Sequence, residues 1–295
     1  VRTSRRLRWA AIPIAATLAF VLAGCTQQQL QGYLPVGDGG AATNHVDRVV
    51  GLWVTSWIVL LVVGVITWGL MIWAMIVYRR RKGQTGFPVQ LRYNMPIEIF
   101  FTIVPLILVL GFFAFTARDQ AIIEARYDNP DVTIQAFGKQ WAWDFNYVDQ
   151  NVYTSGIQVQ PSTDPTAPVG SIDRSSIPTL YLPVGKTVEI QLEARDVIHS
   201  FWVIDFLYKK DLIPGKTNYM SFIPEREGTF TGKCAELCGE YHSQMLFEVK
   251  VVSEAEYLAY TKKLASDGFV GQLGSEYNRN QNLPGVVAPA SETAK

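Results

Sequence analysis

The fourteen residues from Gly232 to Met245, GKCAELCGEYHSQM, hold two of the chain's three cysteines, one of its three histidines and a methionine. Thiol, imidazole and thioether at this density can make a disulfide, a zinc site, a catalytic thiol or a copper site. In an exported domain two cysteines four apart close a small disulfide loop by default. His242 follows Cys238 by four residues and Met245 follows by three more, and a disulfide needs neither. Structural zinc sites rarely take a thioether, whereas thiolate, imidazole and methionine form the soft, mixed set that suits copper in electron transfer. A catalytic thiol would leave the second cysteine and the methionine without a role. One thiolate suffices for a mononuclear copper site. Two on one loop can bridge two copper ions if a second imidazole arrives from elsewhere, and His199, in ARDVIHSFWV at the end of a strand, is the candidate. The third histidine, His45, precedes an apolar segment and reads as an interfacial polar residue.

Residues 118–295, which must position this loop, carry 16 basic and 23 acidic side chains and read as an acidic, β-rich domain. In TVEIQLEA, Val188, Ile190, Leu192 and Ala194 alternate with polar residues, and in MLFEVKVV, Met245, Phe247, Val249 and Val251 share one face. TIQAFGKQWAWDFNYV is a third strand-like region and Thr217 to Thr229 a fourth, so a sandwich or barrel is expected. Between Tyr147 and Pro183 the Pro, Ser, Thr and Gly content predicts an inserted surface loop over about 148–178. A short helix is expected near Ser253 to Ala265, followed by a tail to Lys295 without periodicity, either disordered or docked on a partner.

Ahead of this domain lie two apolar runs. Gly51 to Tyr78 contains no charge and reaches ~42 Å as a helix, more than a bilayer core of about 30 Å. Ile99 to Ala117 reaches roughly 28 Å. The loop between them, 79–95, holds Arg79, Arg80, Arg81, Lys82 and Arg92 and no acid, which places it in the cytoplasm and the β domain outside. The segment 25–50 is then external too. Residues 1–24 have the basic, apolar and small-residue layout of an export signal, and Leu22-Ala23-Gly24-Cys25 is similar to a lipobox, with Cys25 the expected lipidation site, the rival readings being an uncleaved anchor or an ordinary signal with an accidental cysteine. Without 1–24 the chain keeps 22 basic against 26 acidic residues, a balance that removes the electrostatic support for nucleic-acid binding. The lipid bilayer is the expected partner instead.

These residues together resemble subunit II of bacterial haem-copper cytochrome c oxidases, over nearly all of the chain beyond the signal. The resemblance rests on Cys234-x3-Cys238-x3-His242-x2-Met245 joined with His199. It implies a two-helix transmembrane hairpin followed by an all-β, cupredoxin-like Greek-key barrel (118–252) that holds a dinuclear copper A centre. Both thiolates would bridge the coppers, the Glu236 carbonyl and His242 completing one and His199 with Met245 the other. The Glu236 side chain would bind magnesium or manganese shared with subunit I. In QWAW, Trp141 would be the residue through which electrons enter, although two tryptophans spaced by two also fit one face of a strand core. Glu98, in Glu98-x3-Thr102-x2-Pro105, would stand at the mouth of a proton path, the rival reading being a snorkelling carboxylate.

The implied activity is transfer of single electrons from cytochrome c, soluble or membrane-tethered, to haem in subunit I of a proton-pumping oxidase, in the company of other oxidase subunits. The resemblance places the haem in subunit I; the chain has no C-x-x-C-H, so no covalent c-type haem is fused to it and the donor is separate. The implied location is the bacterial cell membrane, with the copper domain on the extracytoplasmic side. Ala142, Ile204 and the long Tyr147–Pro183 loop depart from the family pattern. A quinol-oxidase subunit without copper, the copper domain of another enzyme and a copper-delivery lipoprotein are the rival readings.

Overall fold

The computed structural model of the chain describes residues 26–278 except 38, 88, 89 and 91. The signal-like segment 1–24, Cys25 and residues 279–295 lie outside the described residues. The chain divides into two units, one formed by the residues up to Leu34 with Val49–Gln120, the other by Pro35–Arg48 with the chain from Ala121 onward.

The first unit is built on two helices, α1 (Val46–Val77) and α2 (Met95–Ile123). Each contains an 18-residue window of mean hydropathy 2.5, none of it buried in the fold. A helix apolar all round with nothing covering it suits lipid or apolar neighbours, not water. α1 begins five residues before its apolar run and ends at Val77, and α2 runs past its own at both ends. Asp47 in the first turn of α1 faces the positive end of the helix dipole. Asn94 opens α2 through a reciprocal cap: its Oδ1 accepts from Ile97 N at 3.4 Å and its own N–H donates to Glu98 Oε1 at 2.9 Å.

The second unit is the all-β domain. β1 (Val132–Lys139), β2 (Ala142–Tyr147), β3 (Val152–Ser155), β5 (Val188–Ala194) and β8 (Asn218–Phe222) form a sheet ordered β3-β2-β1-β5-β8. The other, ordered β4-β10-β9-β6-β7, contains β4 (Thr179–Pro183), β6 (His199–Val203), β7 (Tyr208–Leu212), β9 (Gly228–Cys234) and β10 (Leu246–Val252). Pairing is antiparallel except for β1 with β5 and β10 with β4. The alternating residues of β5 and β10 all face the core, which also takes Ile134, Phe145, Phe201 and Val203.

Several local expectations change. The region from Thr133 to Val148 is a hairpin, not one strand, because the chain reverses at Gln140–Trp141, whose peptide bond is cis. Trp143 is therefore fully buried in β2 while Trp141 sits half-buried in the turn, so the two rings do not share a strand face. Residues 148–178 are not all surface loop: they supply β3 and bury Val159 and Ile177. His45 is not an interfacial residue either. Residues 35–48 lie along the end of β8, where Asn44 N donates to Ile223 O at 3.1 Å and Asn44 Oδ1 accepts from Ile223 N at 2.8 Å. This buries His45, whose Nε2 lies 2.8 Å from Ser221 O.

The C-terminal helix, α3 (Glu254–Ser266), starts at the N-cap Ser253 and buries Tyr257 and Leu264. Beyond it the chain turns back and docks on its own domain as far as Asn278. Tyr153 N donates to Phe269 O at 3.1 Å, Gly271 N to Asn151 O at 2.9 Å, and Asn146 exchanges hydrogen bonds with the Leu273 backbone at 3.0 and 3.1 Å. This strap covers the outer side of the first sheet, which is why every residue of β2 is buried although only one side faces the core. Alternation in the sequence marks strands with one wet face and so does not announce the strap.

Burial above all, and the nearby Arg48 charge, hold the His45 imidazole below its usual 6.5, against the Ser221 carbonyl and the charges of Glu225 and Glu124. Near neutral pH the ring is neutral folded and unfolded. As pH falls below 6.5 the unfolded chain takes the proton first, so stability is lost on acidification. His45→Gln, which keeps a donor for Ser221 O, should flatten the fall in melting temperature between about pH 7 and 5 relative to the parent protein. Thermal melts across that range check it.

Candidate metal centre

Strand register brings the donor atoms together. β9 ends at Cys234 and β10 begins at Leu246, with Lys233 opposite Leu246. Cys234 N donates to Met245 O at 2.9 Å and closes the base of the loop 235–245. β6 lies on the other side of β9, with Phe201 opposite Cys234, so His199 at the start of β6 reaches the same end of the sheet. A 3-10 turn, His242–Gln244, aims the second imidazole inward.

The result is one compact cluster. Cys234 Sγ and Cys238 Sγ are 3.8 Å apart. His199 Nδ1 lies 3.8 Å from Cys234 Sγ, His242 Nδ1 3.5 Å from Cys238 Sγ, and Met245 Sδ 3.7 Å from Cys238 Sγ. Cys234 Sγ lies 3.2 Å from Glu236 O. Both cysteines are free and buried, and the sulfur separation is far beyond the ~2.05 Å of a disulfide. His199, Cys234 and Cys238 keep their donor atoms within 4.8 Å of one another. Two thiols, each with an imidazole beside it, one fully buried thioether and one carbonyl fit copper, a soft and borderline metal, better than a hard cation.

Electrostatics favours one thiolate in the pair. The hydrogen bond from Cys238, assisted by His199 and the Ser200 and Glu236 backbone, outweighs burial and brings the Cys234 thiol down to about 3. The same contact with Cys234, together with burial, pushes Cys238 up. The two sulfurs thus hold one proton between them, which an incoming cation would displace. Burial lowers the basicity of His199, but its hydrogen bonds to Asp196 and Cys234 and their charges raise it overall.

Asp196 is the main residue that the sequence reading missed. Its Oδ1 lies 2.8 Å from His199 Nε2 and accepts from Val197 N at 2.8 Å, while Oδ2 accepts from Gln140 N at 2.7 Å. A carboxylate on the far nitrogen fixes the ring so that Nδ1 faces the sulfurs. The spacing Asp-x-x-His at a strand start is the signal that could have found it. Gly138 gives no such signal, yet a Cβ there would stand 2.8 Å from the His199 ring.

The β1–β2 turn covers the loop from outside. Gln140 Nε2 and Trp141 Nε1 both donate to Cys238 O, at 2.8 and 3.1 Å, and the Trp141 ring meets Tyr241 edge-on at 4.9 Å. Behind the cluster, Trp143 packs against His199 and Phe247 and donates to Met245 O at 3.4 Å. The structure thus gathers His199, Cys234, Glu236, Cys238, His242, Met245 and Trp141 at one end of the domain. Glu236 contributes its carbonyl to the cluster and keeps its side chain partly exposed. Glu98 lies elsewhere, in the first turn of α2, with its carboxylate engaged in the cap.

The family profile described as cytochrome C oxidase subunit II, periplasmic domain, matches residues 132–252. The chain is 42% identical over 300 residues to the probable cytochrome c oxidase subunit 2 of Streptomyces avermitilis, covering 91% of this chain and 93% of that one. It is 32% identical over 326 residues to cytochrome c oxidase subunit 2 of Mycobacterium tuberculosis, covering 96% and 87%. The crystal structure of the periplasmic domain of cytochrome oxidase subunit II from Bradyrhizobium japonicum is 30% identical and covers 49% of this chain and 100% of that one, with a TM-score of 0.41. Sequence identity of 42% along almost the whole chain makes this protein a member of the cytochrome c oxidase subunit II family.

Proposed function

We propose that the chain is the electron-accepting subunit of a cytochrome c oxidase, taking single electrons from a cytochrome c at a dinuclear copper centre and delivering them to haem in subunit I, where oxygen is reduced. The observation that carries this reading is the pair of unbonded thiols 3.8 Å apart, each with an imidazole nitrogen within 3.8 Å. A copper-free quinol-oxidase subunit would have no use for that pair. Copper bound here supplies a one-electron couple spread over two metals.

The chain's own residues supply rigidity. Cys234 and Met245 are tied to each other through the β9–β10 ladder, His199 is oriented by Asp196, and the Glu236 carbonyl is turned toward Cys234. Ligands that do not move between oxidation states keep the rearrangement accompanying each transfer small. Trp141, half-buried and hydrogen-bonded to the carbonyl of Cys238, is suited to pass electrons inward from a docked donor. The Glu236 carboxylate would take a magnesium or manganese ion shared with subunit I, and Glu98, whose Oε1 accepts from Asn94 N in the α2 cap, would receive protons there when that bond opens. With the basic loop 79–95 in the cytoplasm, α1 and α2 span the cell membrane and the copper domain stands outside, with Cys25 lipidated. An acidic domain suits a basic donor, soluble or tethered.

Purifying the tagged chain from its native membrane in mild detergent should bring haem and cytochrome c-dependent oxygen uptake with it. A chain recovered with neither would overturn the reading. Trp141→Phe should slow reduction by cytochrome c several-fold in rapid mixing while copper content and spectrum stay as in the parent. A parent-like rate would return Trp141 to a packing role. Met245→Leu should keep the fold at a loss under about 1.5 kcal/mol while changing the copper spectrum and potential. Gly138→Ala forces a methyl against the His199 ring, and should lower stability by about 1–3 kcal/mol and weaken copper retention in a chelator challenge.

A further inference from the structure

The buried ion pair between Arg195 and Asp144 has no part in binding or transfer as described above, yet it adjoins the metal cluster. The side chains are only 1% and 3% exposed, and Arg195 Nε donates to Asp144 Oδ2 at 2.9 Å. The rest of the guanidinium is taken up by the C-terminal strap. Nη1 donates to Gly274 O at 2.8 Å and to Asn278 Oδ1 at 3.2 Å, and Nη2 to Leu273 O at 3.2 Å. One face of the group lies 3.9 Å over the Phe137 ring. The other oxygen of Asp144 accepts from Lys139 Nζ at 2.7 Å and from Ser155 Oγ at 2.8 Å.

The chain positions of these partners matter. Lys139 directly precedes Gln140, and Arg195 directly precedes Asp196. Gln140 N donates to Asp196 Oδ2, and Asp196 Oδ1 holds His199 Nε2. One buried carboxylate, Asp144, therefore ties together the residues that precede both halves of the contact orienting His199. The strap closes this arrangement from outside, because backbone carbonyls of Leu273 and Gly274 satisfy guanidinium donors that would otherwise be buried without partners.

We infer that Arg195 is a positioning residue for the metal cluster and that the C-terminal strap, Phe269–Asn278, clamps the β5–β6 corner on which the orientation of His199 depends. The strap reaches the cluster through Arg195 and Asp196, and among the described residues none of its hydrogen bonds goes to a donor atom. Lysine cannot replace Arg195, since one ammonium cannot span Asp144 and two strap carbonyls as the planar fork does. The consequence for metal retention rests on the copper reading above, whereas the orientation of His199 does not.

The test uses the full chain in detergent, with two variants: Arg195→Lys, and a chain ending at Gly268. In the metal-free proteins, nitrogen-15 NMR of the His199 ring follows exchange of the Nε2 proton, with the Val249 amide in the core as the reference for global opening. In the copper-loaded proteins, release of copper to a chelator is timed. The clamp predicts that Arg195→Lys exchanges the His199 proton at least about tenfold faster with the Val249 amide unchanged, and releases copper about tenfold faster, the lower end of what losing an outer partner of a ligand does. The shortened chain should behave alike; if it does not fold, Arg195→Lys alone decides. His199 exchange within about twofold of the parent in a folded variant, even with a lower melting temperature, would overturn the clamp and leave the ion pair a stability element. A parent chain that takes up no copper would defeat the copper reading, and the NMR comparison would still decide the clamp.

Discussion

Two sulfur atoms held 3.8 Å apart without bonding place a demand on everything around them. Left mobile, two thiols this close oxidise to a disulfide wherever an oxidant reaches them, so the scaffold must keep the sulfurs close and apart at once. The β9–β10 ladder does the first by closing the loop at Cys234 N and Met245 O. The second falls to neighbours that occupy the sulfurs: the Glu236 carbonyl and His199 at Cys234, His242 and the Met245 thioether at Cys238. The contact between the two sulfurs leaves one proton shared by the pair, which an incoming cation would displace.

Rigidity at the cluster is built outward in layers. Asp196 accepts from Val197 N and Gln140 N and meets the His199 ring, which sets the ring and joins the β5–β6 corner to the β1–β2 turn. The two side-chain donors of that turn converge on the carbonyl of Cys238, so the turn lies over the loop as a cover with Trp141 at its outer edge. Farther out, Asp144 and Arg195 anchor the same two segments beneath the strap. A sheet covered on both sides has little freedom to shear, which suits ligands that must not rearrange as charge comes and goes.

Much of this was legible in the sequence, for reasons that differ by element. The strands carrying Val188–Ala194 and Leu246–Val252 announced themselves because one face meets the core and the other meets polar groups. The ligand loop was legible because cysteine, histidine and methionine are scarce in this chain and crowded there. Trp141 and Trp143 were harder: spacing by two suggests one face only while a strand continues, and here it reverses between Lys139 and Ala142. The placement of His45 and of the strap was hidden because short segments far apart in sequence pair through backbone groups that every residue carries. Asp196 was missed because, as one of 23 acids in residues 118–295, only its Asp-x-x-His spacing sets it apart, and Gly138 because one glycine carries no pattern until the ring of His199 is seen against it.

The central claim is that Cys234 and Cys238 together hold two copper ions as one redox unit. Electron paramagnetic resonance of the oxidised, metal-loaded protein, with copper and protein quantified in the same sample, addresses it most directly. The account predicts two coppers per chain and a single unpaired electron coupled to both nuclei. Coupling to one copper nucleus only, or a protein that takes up no copper and carries a Cys234–Cys238 disulfide, would contradict it.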